Sequence, residues 1–317
     1  MQRHPAIIAH LSAIGYCLWA LAYLLFRTCS PAQPWTSADA ALLAQGISYT
    51  WDPDATNWLA GQGITATADT SNPNSRVSTN INRLVLDAKT NGWWSRCDII
   101  YPFIQPYGAW PSTTNNLRSS AFPSNAFNFT IGGTVATNAN GIVFAGGGYL
   151  KTGYQPSASK TAVSTSPTNV HIFCYIAEGT TSSKWAIGGN NTATDYLGIQ
   201  FLSGSGFYGY PLASLAASLP GNLQSVIGGV ILTRTNSNAS LWFQGTNSAV
   251  GLATSTDTAY STADIYVGGR SYGNAPLSYF TGTIAGFTLG ASIPTNTVPT
   301  FLADWSRYQA GMGRRGY

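Results

Sequence analysis

From about Ala126 onward the chain alternates apolar and polar residues in short runs, and Gly, Ser or Asn clusters separate the runs. The runs cover residues 127–131, 142–154, 170–177, 185–187, 196–202, 207–210, 226–233, 240–243, 265–267 and 279–289. A period of two sends successive side chains to opposite faces of a strand. With no long helix between them, strands of this kind pair antiparallel and stack as a sandwich. In the run 170–177, Val170, Ile172, Cys174 and Ile176 share one face, and His171, Phe173, Tyr175 and Ala177 share the other. One aliphatic and one aromatic face suit a curved sheet with a core on one side.

Composition narrows the chemistry. Only 8% of the residues are charged, against about 25% in an ordinary soluble domain. Aromatics make up 13%, so the chain is not compositionally disordered. The net charge of +4 comes without a Lys/Arg run, which argues against a nucleic-acid partner. Glu178 is the sole glutamate, and the three histidines are His4, His10 and His171. A hydrolase needs a nucleophile or activated water, a base and a group that orients it. Nothing in the spacing recommends a Ser/His171/Asp195 triad, and Gly204-Ser205-Gly206 lacks the G-x-S-x-G spacing. The expectation is a non-enzymatic protein with no cofactor. Cys17, Cys29, Cys97 and Cys174 form no metal-spaced pair, and buried free thiols are the preferred reading over a disulfide. Asp52 and Asp54 flank Pro53. Ca²⁺ binding there is weighed against a turn closed by Asx hydrogen bonds, and the turn is preferred.

Residues 5–26 carry no formal charge and are flanked by Arg3 and Arg27. As a helix they would reach roughly 33 Å, enough to cross a bilayer core. Ile7, Leu11, Ile14, Leu18, Leu21 and Leu25 follow a 4-3 spacing, the seam along which helices pack. A retained anchor helix in a membrane or against neighbouring subunits is the preferred reading. A cleaved signal peptide and a soluble core helix are the alternatives. Two further helices are expected at residues 38–45, capped by Ser37, and 80–89. The second would be capped by Ser78 or Thr79 and stopped at Asn91-Gly92.

The order of the β runs resembles the concanavalin A-like, laminin G-like jelly-roll family. The residues that carry the likeness are the Gly146-Gly147-Gly148-Tyr149 to Thr152-Gly153-Tyr154 stretch and the strand from His171 to Ile176. With them go the pair Ile231–Arg234 and Leu241–Gly245, and the closing Ile265-Tyr266-Val267-Gly268-Gly269 with Phe280 to Phe287. The stretch Trp93 to Phe103 and a C-terminal helix around Phe301 to Gln309 are similar to the subset found in tailed-phage virion proteins. The resemblance implies an antiparallel β-sandwich. It does not extend to the paired glutamates of the family's glycan hydrolases, nor to a lectin calcium loop, of which Asn190, Asn191 and Asp195 are the nearest approximation.

The expected organisation is an anchor helix over residues 1–27 and a linker and helical region over 28–112. The jelly-roll follows over 113–293, and a closing helix and tail over 294–317. The function expected first is an anchored, homo-oligomeric structural component of a virion surface or cell envelope. The alternative is a glycan-binding adhesion module. Its candidate ligand residues are Tyr208, Tyr210, Trp242, Tyr272 and Asn274, because sugar sites combine aromatic platforms with amide donors.

Overall fold

The computed structural model describes residues 50–67, 73–104, 115–118, 127–156, 168–179, 184–192, 195–202, 206–211, 217–218, 227–244, 248–249, 251–254 and 261–314. The segment 5–26 with its seam, the helix expected at 38–45, Cys17 and Cys29 lie outside them. Among the described residues no helix is long and apolar enough to cross a membrane.

The alternating segments form two stacked sheets. In the first, β17 (Thr281–Gly290) is the spine, with β6 (Asn169–Glu178) along one side. On its other side lie β4 (Gly141–Ala145), beside its first half, and β1 (Cys97–Pro102), beside its second. Outward from β6 run β11 (Gly228–Thr235), β12 (Asn238–Phe243) and β13 (Gly251–Thr254), and β3 (Val135–Asn138) lies beyond β4. The second sheet runs β10 (Ala217–Ser218), β9 (Gly206–Pro211), β8 (Leu197–Leu202), β7 (Trp185–Asn190), β14 (Tyr266–Val267), β5 (Tyr149–Lys151) and β2 (Thr130–Gly132). A hairpin of β15 (Arg270–Tyr272) and β16 (Ala275–Leu277) joins it through β7, and β15 runs parallel to β7.

Ile172, Cys174, Leu232 and Leu241 from the first sheet meet Ile187, Ile199, Phe201 and Phe207 from the second in the central core. The opposite face of the first sheet presents Phe173, Tyr175, Ile231, Trp242 and Ala285. That face is covered by three helices: α1 (Pro53–Gly61), α2 (Pro73–Thr90) and α3 (Val298–Gly311). Ile81, Leu84, Val85 and Ala88 of α2 and Phe301, Leu302, Trp305 and Tyr308 of α3 pack there. Ring contacts tie the layer together, with Phe173 meeting Phe301 edge-on at 4.9 Å between centroids. The first sheet is therefore buried on both faces. This corrects the one-sided core expected from the run 170–177, whose aromatic face is the floor beneath the helices. Among the described residues, no helix covers the outer face of the second sheet.

Other expectations shift for local reasons. The run 142–154 divides at Gly146-Gly147-Gly148 into β4 and β5, which belong to different sheets. A Cβ on Gly148 would stand 2.1 Å from the carbonyl oxygen of Thr134, so the crossing chain passes too close for any side chain. Helix α2 starts at Pro73 rather than at a Ser78 or Thr79 cap. Both are buried inside the helix, and the Ser78 hydroxyl donates to the Thr65 carbonyl. Its end lies where Asn91-Gly92 predicts: Gly92 has φ +75°, and the Trp93 amide donates back to the Ala88 carbonyl. The first sheet also reaches upstream of residue 113, through β1.

Candidate functional site

The open face of the second sheet is built by alternation. In β9, Phe207 enters the core and a Cβ on Gly209 would meet Leu232 of the opposite sheet, so Tyr208 and Tyr210 point outward. In β8, Leu197, Ile199 and Phe201 point inward and leave Gly198 and Gln200 outside. Register then aligns one transverse row across six strands: Thr130, Lys151, Tyr266, Gly188, Gly198 and Tyr210.

The two adjacent glycines in that row make room for a tryptophan. A Cβ on Gly188 or on Gly198 would stand 2.7 Å from the six-membered ring of Trp185, so the indole lies across bare backbone. Tyr210 stacks on it with centroids 4.8 Å apart and planes 27° apart, and Tyr196 stacks at 5.9 Å and 18°. The guanidinium carbon of Arg270 sits 5.1 Å from the Trp185 centroid and 5.3 Å from that of Tyr196, a cation–π arrangement. The Tyr210 hydroxyl donates to Gln200 Oε1 at 3.0 Å. Burial and the neighbouring tyrosines raise its phenol above the usual value of 10, so it stays a neutral donor at physiological pH.

A second group of rings lies beside the first. Tyr149 stacks on Tyr266 at 4.8 Å and 12°, and Tyr279 approaches Tyr149 at 6.3 Å. Lys151 is paired with Asp264 at 2.9 Å, and that hydrogen bond raises its pKa. The Tyr266 hydroxyl donates to the backbone carbonyl of Asn274.

The sequence candidates separate on this framework. Tyr208, Tyr210 and Tyr272 all belong to the open sheet, and Tyr272 is 50% exposed at the end of β15. Trp242 does not belong there. It lies on the first sheet in the layer beneath the helices, 6% exposed, with its indole N–H donating to Ser240. Its apolar area is used in packing, which corrects its reading as a ligand residue. Asn274 has a structural task. Gly273 and Asn274 form the two-residue turn of the β15–β16 hairpin with φ +55° and +68°, a type I′ requirement. The Asn274 Oδ1 accepts the Asp264 amide at 2.8 Å.

Trp185, Tyr196 and Arg270 were not singled out from the sequence. The available signal was a Trp three residues before Gly188-Gly189, facing Gly198 in the next strand. Only pairing register converts that into a bed for a ring.

The calcium and catalytic alternatives find other uses. Asp195 accepts the backbone amides of Asn191 and Thr192 and the Thr192 hydroxyl, so it staples its own loop. Asp52 accepts the Asp54 amide at 2.9 Å as an N-cap, and both carboxylates take Lys89 at 2.7 Å. Among the described residues no His, Cys, Asp and Glu cluster could hold a metal ion. His171 is fully buried, with one ring nitrogen at the Ala291 carbonyl and the other at the Thr288 hydroxyl. Glu178 accepts from Thr283 and Asn140. Cys97 and Cys174 are free and buried, and burial pushes both thiols well above their usual range.

No protein-family model matches the chain, and no curated protein matches it. Several solved structures are similar in part. A mutant Trypanosoma rangeli sialidase displaying trans-sialidase activity is 14% identical with a TM-score of 0.43, over 73% of this chain and 39% of that one. Domain 4 of an extracellular GH43 arabinanase from Geobacillus stearothermophilus, in complex with arabinotriose, is 14% identical with a TM-score of 0.37. It matches over 55% of this chain and 87% of that one. The CBM40 of a Ruminococcus gnavus sialidase, bound to α2,3 sialyllactose, is 15% identical with a TM-score of 0.35, over 51% and 94%. The chain thus spans well under half of the first of these proteins, and no residue role passes from any of them to it.

Proposed function

We propose that this chain is a non-catalytic, glycan-binding β-sandwich whose ligand lies along the open face of the second sheet. The observation that carries the reading is the partly exposed layer of Tyr196, Tyr210 and Arg270, held in place by the buried Trp185 ring beneath it, which is bedded on Gly188 and Gly198. Sugar rings have apolar C–H faces that lie on aromatic surfaces and polar rims that need donors and acceptors. This face offers both, in Tyr208, Tyr210, Gln200 and Tyr272. Buried acids paired for hydrolysis are a different chemistry. The sole glutamate is occupied by Thr283 and Asn140, and His171 has both nitrogens engaged inside the fold.

Display at an outer surface, of a cell or a virion, through residues 5–26 is part of the same proposal and rests on the uncharged length of that segment. A glycan array probed with the intact chain and with Tyr210→Ala tests the binding role. Binding that the substitution abolishes is the expected result. Absence of binding to every glycan, or cleavage of any that Glu178→Gln removes, would overturn it.

A further inference from the structure

Arg270 is positioned in an unusual way for an arginine. Its Nε is sealed from solvent, and among the described residues it has neither a hydrogen-bond partner there nor a carboxylate partner. Two aromatic faces hold the guanidinium instead of acceptors. Ring stacking fixes the plane of the group, and among the described residues no protein acceptor takes its Nε–H. The nine strands of the second sheet contain no Asp or Glu, and their only cations are Lys151 and Arg270. Lys151 is neutralised by Asp264. Asp195, at the edge of the sheet, is occupied by its own loop amides.

Leaving one unpaired, pre-oriented guanidinium among tyrosines is a specific piece of chemistry. A guanidinium fork matches a carboxylate with two parallel hydrogen bonds. Tyr272 lies two residues along the same strand, so both side chains face the same side of the sheet. We propose that this face selects acidic glycans, and that Arg270 pairs with the carboxylate of a sugar acid seated against Tyr196 and Tyr210. The inference rests on the glycan-binding reading of that face and names the ligand class within it.

The test compares matched probes on the full chain: tetragalacturonate with its carboxyl-reduced form, and sialyllactose with lactose. The expected result is that at least one acidic member binds about tenfold tighter than its neutral partner, as one charge-assisted hydrogen-bond pair provides. Rising salt should erode that preference. Arg270→Gln should close the gap between the acidic and the neutral member of each pair, and Arg270→Lys should restore part of it. Equal affinity for acidic and neutral members, with Tyr210→Ala abolishing both, would overturn the acid selectivity and leave the glycan face standing. Failure of all four probes to bind would overturn the inference, and failure of a wider neutral panel would remove the underlying reading as well. Should Arg270→Gln unfold the protein, the salt dependence and the Arg270→Lys variant still decide the matter.

Discussion

A Cβ on Gly198 would stand 2.7 Å from Cζ3 of Trp185 and 2.5 Å from the Ile187 carbonyl oxygen. Gly198→Ala must therefore move either the indole or the strand next to it. The expected cost is about 1–3 kcal/mol of stability, read by denaturant unfolding. Tryptophan fluorescence should shift as Trp185 loses its bed, and glycan affinity should fall even where the variant remains folded. An unchanged spectrum and unchanged affinity would show that the glycine is incidental.

Tyr272 and Asn274 are neighbours in sequence with opposite predicted behaviour. Tyr272 is half exposed, so Tyr272→Ala should leave stability within about 0.5 kcal/mol of the original and weaken ligand binding. Asn274 combines a positive φ with a side-chain bond to the Asp264 amide. Asn274→Ala should lose about 1–3 kcal/mol of stability. Thermal melts paired with binding isotherms on the two variants separate these outcomes. A reversal of the two would place the ligand at the turn rather than on the sheet.

Trp242→Ala should behave as a core truncation. The ring is buried between the first sheet and the helices, and removal of a large buried aromatic costs about 3–5 kcal/mol. A cavity-tolerant, folded Trp242→Phe variant should bind glycans as the parent does. Loss of binding in that variant would return Trp242 to the ligand site.

The sandwich was legible because period-two alternation is a local property, visible in runs such as 170–177. The helix over 80–89 was legible from its apolar face and its Asn91-Gly92 stop. What the pattern could not reveal was which sheet face the helices would cover. Phe173 and Tyr175 on one sheet and Tyr208 and Tyr210 on the other look alike in sequence. The first pair is buried by Phe301 and Trp305, more than a hundred residues downstream, and the second pair is left open. Trp242 was misread for the same reason. Arg270 was missed because the proposal for it rests on its having no carboxylate partner among the described residues, and spacing says nothing about partners.

The last prediction concerns pH and His171. Desolvation in the fully buried site lowers its pKa from 6.5 to about 4, opposed by the hydrogen bond with the Ala291 carbonyl. The ring is neutral in the fold, donating to one neighbour and accepting from the Thr288 hydroxyl at 2.8 Å. A depressed histidine pKa means that the unfolded chain takes up a proton more readily than the folded one, so stability falls as the pH drops. The loss should begin near pH 6.5, where the unfolded imidazole titrates, and level off below about pH 4 once the folded ring also charges. Integrated over that window it amounts to about 3 kcal/mol. Denaturant unfolding from pH 8 to pH 4 should show this decline, and His171→Gln, while less stable overall, should flatten that part of the curve. An identical pH dependence in the two proteins would mean that His171 titrates normally and that its burial among Ala291, Thr288 and Cys97 does not control its charge.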